Sequence, residues 1–128
     1  LWVGVSVEDQ ERADERIPLL LQTPAAVRFL SVEPLLGPVA LTDLPIPNDI
    51  DQRGFRFNAL TDQDDDHYYN DHAKLDWVIV GAETGPKARP CKPGWVKGII
   101  NQCRAAGVPV FVKDNVQWAE TIREFPES

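Results

Sequence analysis

Residues 77–85 read WVIVGAETG, and the fold class follows from this stretch. Its first four residues are all apolar, which is typical of a strand that is covered on both faces in a parallel sheet. A glycine-rich turn then ends the strand. A helical pattern follows at residues 94–106 and another apolar run at 108–112, so the stretch predicts a β-α-β unit.

A second β-α-β unit is predicted near the start of the chain, where apolar runs occupy residues 2–7 and 27–32. Between them lies a stripe at helical spacing, formed by Ala13, Ile17, Leu20 and Leu21. Pro18 predicts a break in this helix, because an interior proline loses a hydrogen bond and clashes with the preceding turn. In the later helix, Pro93 suits the first turn and Gly107 the position after the last.

The predicted order is therefore β-α-β, an insertion, and β-α-β. Parallel strands joined by right-handed crossovers form either an open doubly wound sheet or part of a barrel. We predict an α/β fold of about four parallel strands with covering helices, either an open sheet or a partial (β/α) barrel. Residues 1–128 are expected to form a single domain, and four strands are half of an eight-stranded barrel.

Residues 41–75 interrupt this rhythm and are strongly acidic, with eight acidic and three basic residues. A connection of this length is either functional or mobile, and its aromatic residues suggest a lid loop that folds back on the domain. The aspartates at 62–66 resemble the start of a calcium loop but lack its glycine and final glutamate. We therefore predict no metal site in this chain.

Charged side chains follow all four predicted strands, at Glu8, Glu33, Glu83 and Lys113. Parallel strands present their carboxyl ends on one face, where ligands bind in both barrels and open sheets. Carboxylates and an ammonium near an apolar interior require mutual pairing or a ligand, so we predict a binding site here. The alternative is that these acids only cap helices or lie in solvated loops.

The loop at 81–93 is a second candidate site. Gly81 and Gly85 permit tight turns and a close approach of a ligand. Lys87, Arg89 and Lys92 then precede a helix N-terminus, where anions are favoured, so a carboxylate or phosphate would suit the loop. The loop matches neither the dinucleotide-binding nor the P-loop pattern. The alternative is an ordinary strand-to-helix loop with solvated lysines.

Composition restricts the partners. A net charge of −7 disfavours binding to nucleic acid by this half, because an acidic chain repels phosphate backbones. No apolar run is long enough for a membrane span. Two cysteines without a CxxC pair suit a reducing compartment, so we expect a cytoplasmic protein. The absence of methionine and the apolar opening favour a fragment of a longer protein.

Several long strings carry a resemblance to a known family. They are WVGVSVEDQ from residue 2, RFLSVEPLLGP from residue 28, LDWVIVGAETG from residue 75 and QCRAAGVP from residue 102. The chain resembles the phage gene-product thirty-seven/sixty-eight family, whose members look radical-SAM-like. The likeness extends over nearly the whole chain, and this chain is similar to the family's C-terminal half. The resemblance implies that residues 1–128 are a partial (β/α) barrel, the C-terminal half of a larger barrel.

The resemblance implies a [4Fe–4S] cluster, held by cysteines in the N-terminal part of the full-length protein, and S-adenosylmethionine as cosubstrate. The positions implied to contact that cosubstrate are Glu8, Glu33, Gly81, Glu83 and Gly85, to which Lys113 is added by its place at the last strand end. The cysteine cluster is absent from this chain, and cluster thiolates are obligatory ligands. We therefore expect no catalysis by this polypeptide alone.

Two functions follow from these observations, and a third, nucleic-acid modification, is suggested only by the phage resemblance and is disfavoured by the net charge. The first is the C-terminal part of a radical-SAM-like enzyme, completed by its missing N-terminal half or by another copy of itself. The second is a protein-interaction module without catalysis, with the unpaired first strand at residues 1–7 as its docking edge. A small-molecule ligand is compatible with both.

Overall fold

The computed structural model describes residues 1–45, 56–61 and 73–126. The described elements follow in the order β1 (Trp2–Val7), α1 (Gln10–Leu21), β2 (Val27–Val32), β3 (Leu44–Pro45), β4 (Arg56–Phe57), β5 (Trp77–Val80), α2 (Pro93–Ala106), β6 (Val110–Val112) and a 3₁₀ turn (Asp114–Val116). β1, β2, β5 and β6 form a parallel sheet in that order, and β3 pairs antiparallel with β4. The prediction of four parallel strands in an α/β fold is confirmed.

The strands are aligned in register. Val7 lies opposite Val32, Val32 opposite Val80, and Val80 opposite Val112. The order of the four strands across the sheet is therefore the same as their order along the chain. All four strands end at the same level. This alignment places the residues that follow them side by side.

α1 begins where the side chain of Asp9 accepts a hydrogen bond of 3.0 Å from the Arg12 N–H. The predicted break at Pro18 is wrong, because the helix continues through it to Leu21. Ile17 and Leu20, on either side of the proline, are fully buried. Their packing outweighs the loss of a single helical hydrogen bond.

α2 ends as the sequence predicts, with Gly107 in the left-handed conformation at φ 71°. β6 is shorter than predicted, since it begins at Val110 and not at residue 108. Pro109 has no N–H to give to a sheet ladder, although its carbonyl still accepts 3.1 Å from the Val78 N–H.

The two faces of the sheet differ. One face belongs to the core with both helices and carries buried aliphatic side chains, from Val7, Leu30, Val32, Val78, Val80, Val110 and Val112, with Val3 and Val5 partly buried against them. The other face, here called the aromatic face, carries Phe29, Trp77, Phe111 and Trp2. Within the described residues, no helix packs on it. Side chains alternate between the faces along each strand.

The flanks of the predicted insertion belong to the core. Leu41, Leu44, Phe57 and Leu60 are fully buried, and the Leu75 N–H donates 2.8 Å to the Ala59 carbonyl. The described part of residues 41–75 is therefore a packed connection. Most of the acidic run, and with it the predicted lid, lies outside the described residues.

The end of the described chain covers one edge of the sheet. The Val112 N–H donates 2.9 Å to the Ile122 carbonyl, and the Glu124 N–H donates 3.1 Å to the Val110 carbonyl. Residues 122–125, here called the C-terminal segment, thus run antiparallel along the outer edge of β6. Phe125 then packs against Trp77 and Phe111 on the aromatic face, with ring centroids 5.5 and 5.6 Å away.

Candidate functional site at the carboxyl ends of the strands

The carboxyl ends of the four parallel strands form a row of residues, here called the rim. It consists of Glu8 after β1, Glu33 after β2, Gly81 after β5 and Lys113 after β6. Register alone places them side by side, because the last residues of the four strands lie opposite one another. The structure thus places these predicted site residues together.

Glu33 and Lys113 are in direct contact. Lys113 Nζ lies 2.8 Å from Glu33 Oε1 and 3.1 Å from Oε2, and the Ser31 hydroxyl lies 3.5 Å from Oε1. A Cβ at Gly81 would lie 2.6 Å from Glu33 Cδ, so the glutamate side chain crosses β5 in the space that the glycine leaves. The pair is half-buried, with 28% of the Glu33 side chain exposed and 43% of that of Lys113.

Backbone hydrogen bonds fix Glu33 in this position. The segment after β2 is bound to both neighbouring strand ends, because the Leu35 N–H donates 3.0 Å to the Gly81 carbonyl and the Leu36 N–H donates 2.9 Å to the Glu8 carbonyl. The Lys113 N–H donates 2.9 Å to the Val80 carbonyl. The segments that carry the two partners of the ion pair are therefore both held by backbone hydrogen bonds to neighbouring strand ends.

Glu8 has a different partner from Glu33. Arg16 of α1 lies with Nη1 3.5 Å from Glu8 Oε2 and donates 2.8 Å to the Ser6 carbonyl. Sequence reasoning missed Arg16, since nothing in the helical pattern distinguishes it from the other polar residues of α1.

Glu83 forms a two-pronged ion pair with Arg89. Arg89 Nε lies 2.7 Å from Glu83 Oε2 and Nη2 lies 3.1 Å from Oε1, while the Arg89 N–H donates 2.9 Å to Oε2. These bonds lower the pKa of Glu83, the side-chain hydrogen bond from Arg89 most of all. The pKa of Arg89 is raised mainly by Glu83 and also by the charge of Glu8, so these three groups are electrostatic neighbours.

The loop that carries this pair turns back on itself at Gly85. Its φ of 105° lies in the region that favours glycine, and the Ala88 N–H donates 3.1 Å to the Gly85 carbonyl. The reversal brings Arg89 to Glu83. Gly85 therefore acts here by shaping the loop, and contact with a ligand stays a prediction.

The three predicted anion-binding residues are engaged differently. Arg89 is bound to Glu83, Lys92 lies with Nζ 5.3 Å from the ring centroid of Trp95, and Lys87 is exposed. An anion at this loop would compete with the Glu83 carboxylate for Arg89. Anion binding by the loop stays a prediction.

Asn115 supports the rim from the 3₁₀ turn. Its Oδ1 accepts 3.0 Å from the Ala82 N–H, which joins the turn after β6 to the turn after β5. Sequence reasoning missed this residue, although an asparagine shortly after a strand end is a common turn signal. Beside it lies a shallow depression of about 340 Å³, which is lined by Phe111, Lys113, Asp114, Asn115 and Arg123.

The site residues form three acid–base pairs, Glu8 with Arg16, Glu33 with Lys113 and Glu83 with Arg89. Pairing explains how three carboxylates are tolerated near an apolar sheet. A ligand that carries both an anion and a cation could exchange partners with such a pair and leave no charge uncompensated. The chemistry that this arrangement suits is binding of a zwitterion at the half-buried pair.

The two thiols lie apart from this chemistry. Cys103 is fully buried on α2, and burial raises its pKa to about 12. Cys91 lies in the loop before α2, where burial also raises its pKa. In the part of the chain that the structure describes, no three histidine, cysteine or acidic residues group as metal ligands would. The described helices are also too short or too polar to span a membrane.

Comparisons with known proteins give one match. A family model described as "Protein of unknown function (DUF5131)" matches residues 1–125. Neither the curated proteins nor the solved structures yielded a match. Because that model matches nearly the whole chain, with its sheet, both helices and the rim, this protein belongs to the DUF5131 family.

Proposed function

We propose that this chain is the C-terminal part of a radical-SAM-like α/β-barrel protein, that it contributes part of an S-adenosylmethionine site at the rim, and that it does not catalyse alone. The observation that carries the proposal is the ion pair between Glu33 and Lys113 above Gly81. It is a half-buried acid–base pair at the face where α/β folds bind ligands.

The order of the strands supports a barrel. In a doubly wound sheet the strand order reverses at a switch point and helices cover both faces. Here the order is β1-β2-β5-β6 without a reversal, and α1 and α2 share one core on one face. A sheet with helices on one side can bury its other face by curving into a barrel.

The charges of the rim suit the amino-acid end of S-adenosylmethionine. Its carboxylate would bind Lys113 and its ammonium would bind Glu33, so that each charge gains a partner as the internal ion pair opens. The depression of about 340 Å³ beside Lys113 leaves room next to the pair. When bound, this cosubstrate supplies a reactive sulfonium group.

The thiols of this chain do not fit a [4Fe–4S] cluster. Such a cluster needs several thiolates that converge on one point. Cys103 is buried in the core on α2 with a pKa of about 12, and Cys91 lies in the loop before that helix. Any cluster would therefore be held by another part of the longer protein, and no step of a reaction is assigned to these residues.

The phage origin belongs to the same proposal because it rests on the family resemblance. The cytoplasmic location is proposed with it because two cysteines without a CxxC pair suit a reducing compartment. The net charge of −7 supports a partner other than nucleic acid. A second candidate, a protein-interaction module without catalysis, is favoured by the outer edge of β1, which pairs with no further strand among the described residues. Ligand binding at the rim distinguishes the two, because a pure interaction module has no need of it.

The test is calorimetric titration of the chain with S-adenosylmethionine, S-adenosylhomocysteine and methionine. We expect all three to bind, and Lys113→Ala and Glu33→Gln each to weaken binding by roughly tenfold or more, as for lost charge-assisted hydrogen bonds. Lys97→Ala, at an exposed position of α2, is the matched control and should bind normally. Absence of binding, or equal affinity in all variants, would count against the proposal.

A further inference from the structure

The two edges of the sheet differ in whether another segment of the described chain pairs with them. At the β6 edge, the Val110 N–H donates 3.0 Å to Glu124 Oε1. The backbone of the C-terminal segment forms hydrogen bonds with the carbonyl of Val110 and the N–H of Val112. This edge is closed. At the opposite edge, β1 pairs with β2 alone among the described residues.

The free edge of β1 is capped at one point. The Ser6 carbonyl accepts 2.8 Å from Arg16 Nη1, which closes the edge near the rim. Backbone groups alternate in direction along a strand, so those of Trp2 and Gly4 point the same way as those of Ser6. These N–H and C=O groups form a template for one more strand.

The aromatic face is also open at this end. Trp77 is its centre, with ring centroids 6.0 Å from Trp2, 6.0 Å from Phe29 and 6.3 Å from Phe111. Phe125 packs on the β6 side of this cluster. On the β1 side, Trp2 remains 44% exposed. The free edge and the exposed part of the face thus meet at Trp2.

The C-terminal segment provides the pattern for covering such a place. One extended stretch pairs with the edge of β6 and directs Phe125 onto the aromatic face. A single segment therefore provides hydrogen-bond partners for the backbone groups at the edge of β6 and also covers part of the aromatic face. The β1 end of the sheet presents the same two requirements.

We propose that the β1 edge docks a parallel β-strand, joined to its own covering helix, whose apolar side chains lie on Trp2 and Phe29. This inference rests on the proposed function, because that strand would belong to the rest of the longer barrel protein. It places the added strands at the β1 edge, because the β6 edge is closed, and the barrel that they complete stays open beside β6.

A second copy of the chain fits this surface less well. Two β1 edges related by a two-fold axis would pair antiparallel and extend the sheet, and the aromatic face of each copy would stay uncovered. Two copies packed face to face would cover the rings but leave the backbone of Trp2 and Gly4 unpaired. A parallel strand with a helical connection meets both requirements.

The experiment supplies such a strand from the chain itself. Residues 1–25, which contain β1 and α1, are duplicated ahead of Leu1, so that the original Trp2 takes the place that Val27 has in the natural unit. Amide hydrogen exchange is then followed by NMR. We expect the original Gly4 amide to exchange roughly tenfold more slowly or better, and Trp2 fluorescence to shift to the blue.

The matched control carries Val5→Pro in the duplicated copy only, which removes an N–H that faces the original strand. Slow exchange in the duplication and fast exchange in this control support the proposal. Equal exchange in the two overturns it. A dimer of the natural chain in which Gly4 is already protected also overturns it, in favour of a second copy.

A measurement on the natural chain keeps the inference testable if the duplication fails to fold. The Gly81 amide donates 3.1 Å to the Val32 carbonyl, whereas the Gly4 amide lies at the free edge. In the monomer, Gly4 should exchange much faster than Gly81, and comparably slow exchange would overturn the proposal. Neither experiment uses a ligand. The exchange rates therefore test the docking of a strand at β1 even if S-adenosylmethionine does not bind.

Discussion

Glu33 and Lys113 follow strands that are not neighbours, yet Lys113 Nζ lies 2.8 Å from Glu33 Oε1. β5 runs between them, and the Glu33 side chain crosses it above Gly81. The pair therefore joins three strand ends at one point of the rim. Residue 81 controls whether the crossing is possible.

Gly81→Ala is expected to displace Glu33, because the new Cβ would lie 2.6 Å from Glu33 Cδ. Since a glutamate side chain can move aside, we expect a loss in the free energy of unfolding of only ~1 kcal/mol or less, the value of a half-exposed ion pair. Urea unfolding of a four-member cycle with Glu33→Ala measures the coupling. An equal cost of Gly81→Ala with and without Glu33 would contradict this reading.

Gly4→Ala should cost more than Gly81→Ala. A Cβ at residue 4 would lie 2.3 Å from Phe29 Cε2, and this ring is held against Trp77 at 6.0 Å between centroids. A packed ring cannot move aside cheaply, so we expect a loss of about 1–3 kcal/mol in the free energy of unfolding.

Gly37→Ala is the control for this substitution, because no atom lies within 4 Å of a Cβ there. It should change the free energy of unfolding by about 0.5 kcal/mol or less. Similar losses for Gly4→Ala and Gly37→Ala in urea unfolding would show that Phe29 is not held in place.

The strands and the rim could be predicted from the sequence because both depend on local patterns. Four apolar runs give the strands, and parallel strands must place Glu8, Glu33 and Lys113 at one level. The pairing could not be predicted. Lys113 is 80 residues from Glu33, and only the register of the sheet brings the two together.

Other features could not be predicted from the sequence because tertiary packing overrides local conformational preference. Pro18 signals a break, but the burial of Ile17 and Leu20 keeps α1 intact. Leu44 and Phe57 lie in a stretch that is rich in acidic residues, and both nevertheless belong to the core. The C-terminal segment has no strand pattern of its own and is extended because β6 offers it backbone partners.

Arg89→Ala should raise the pKa of Glu83, since the Arg89 side chain is the main cause of its lowering. The backbone N–H of residue 89 remains, so the rise is partial. A carboxyl group with a lowered pKa stabilises the fold above its ordinary pKa of about 4.3, and this contribution is lost as the pH falls through the folded-state pKa. Arg89→Ala should therefore weaken the acid dependence of stability that is due to Glu83.

Carbon-13 NMR titration of the Glu83 carboxyl group measures this shift. Arg104→Ala is the matched control, because Arg104 pairs with Glu124 instead, and it should leave the Glu83 titration unchanged. If Glu83 titrates identically in Arg89→Ala and in the natural chain, the two-pronged pair does not persist in solution.

Glu124→Ala should weaken the closed edge of β6. The Glu124 carboxylate accepts 3.0 Å from the Val110 N–H and 3.1 Å from Arg104 Nη1. Val110 is fully buried, so its N–H would lose its partner, and we expect a loss of about 1–3 kcal/mol in the free energy of unfolding. Glu124→Gln keeps an acceptor oxygen for Val110 and gives up only the exposed ion pair, which is worth ~1 kcal/mol or less. Urea unfolding should therefore rank Glu124→Ala well below Glu124→Gln, and equal stabilities would mean that the ion pair, rather than the backbone contact, holds the C-terminal segment.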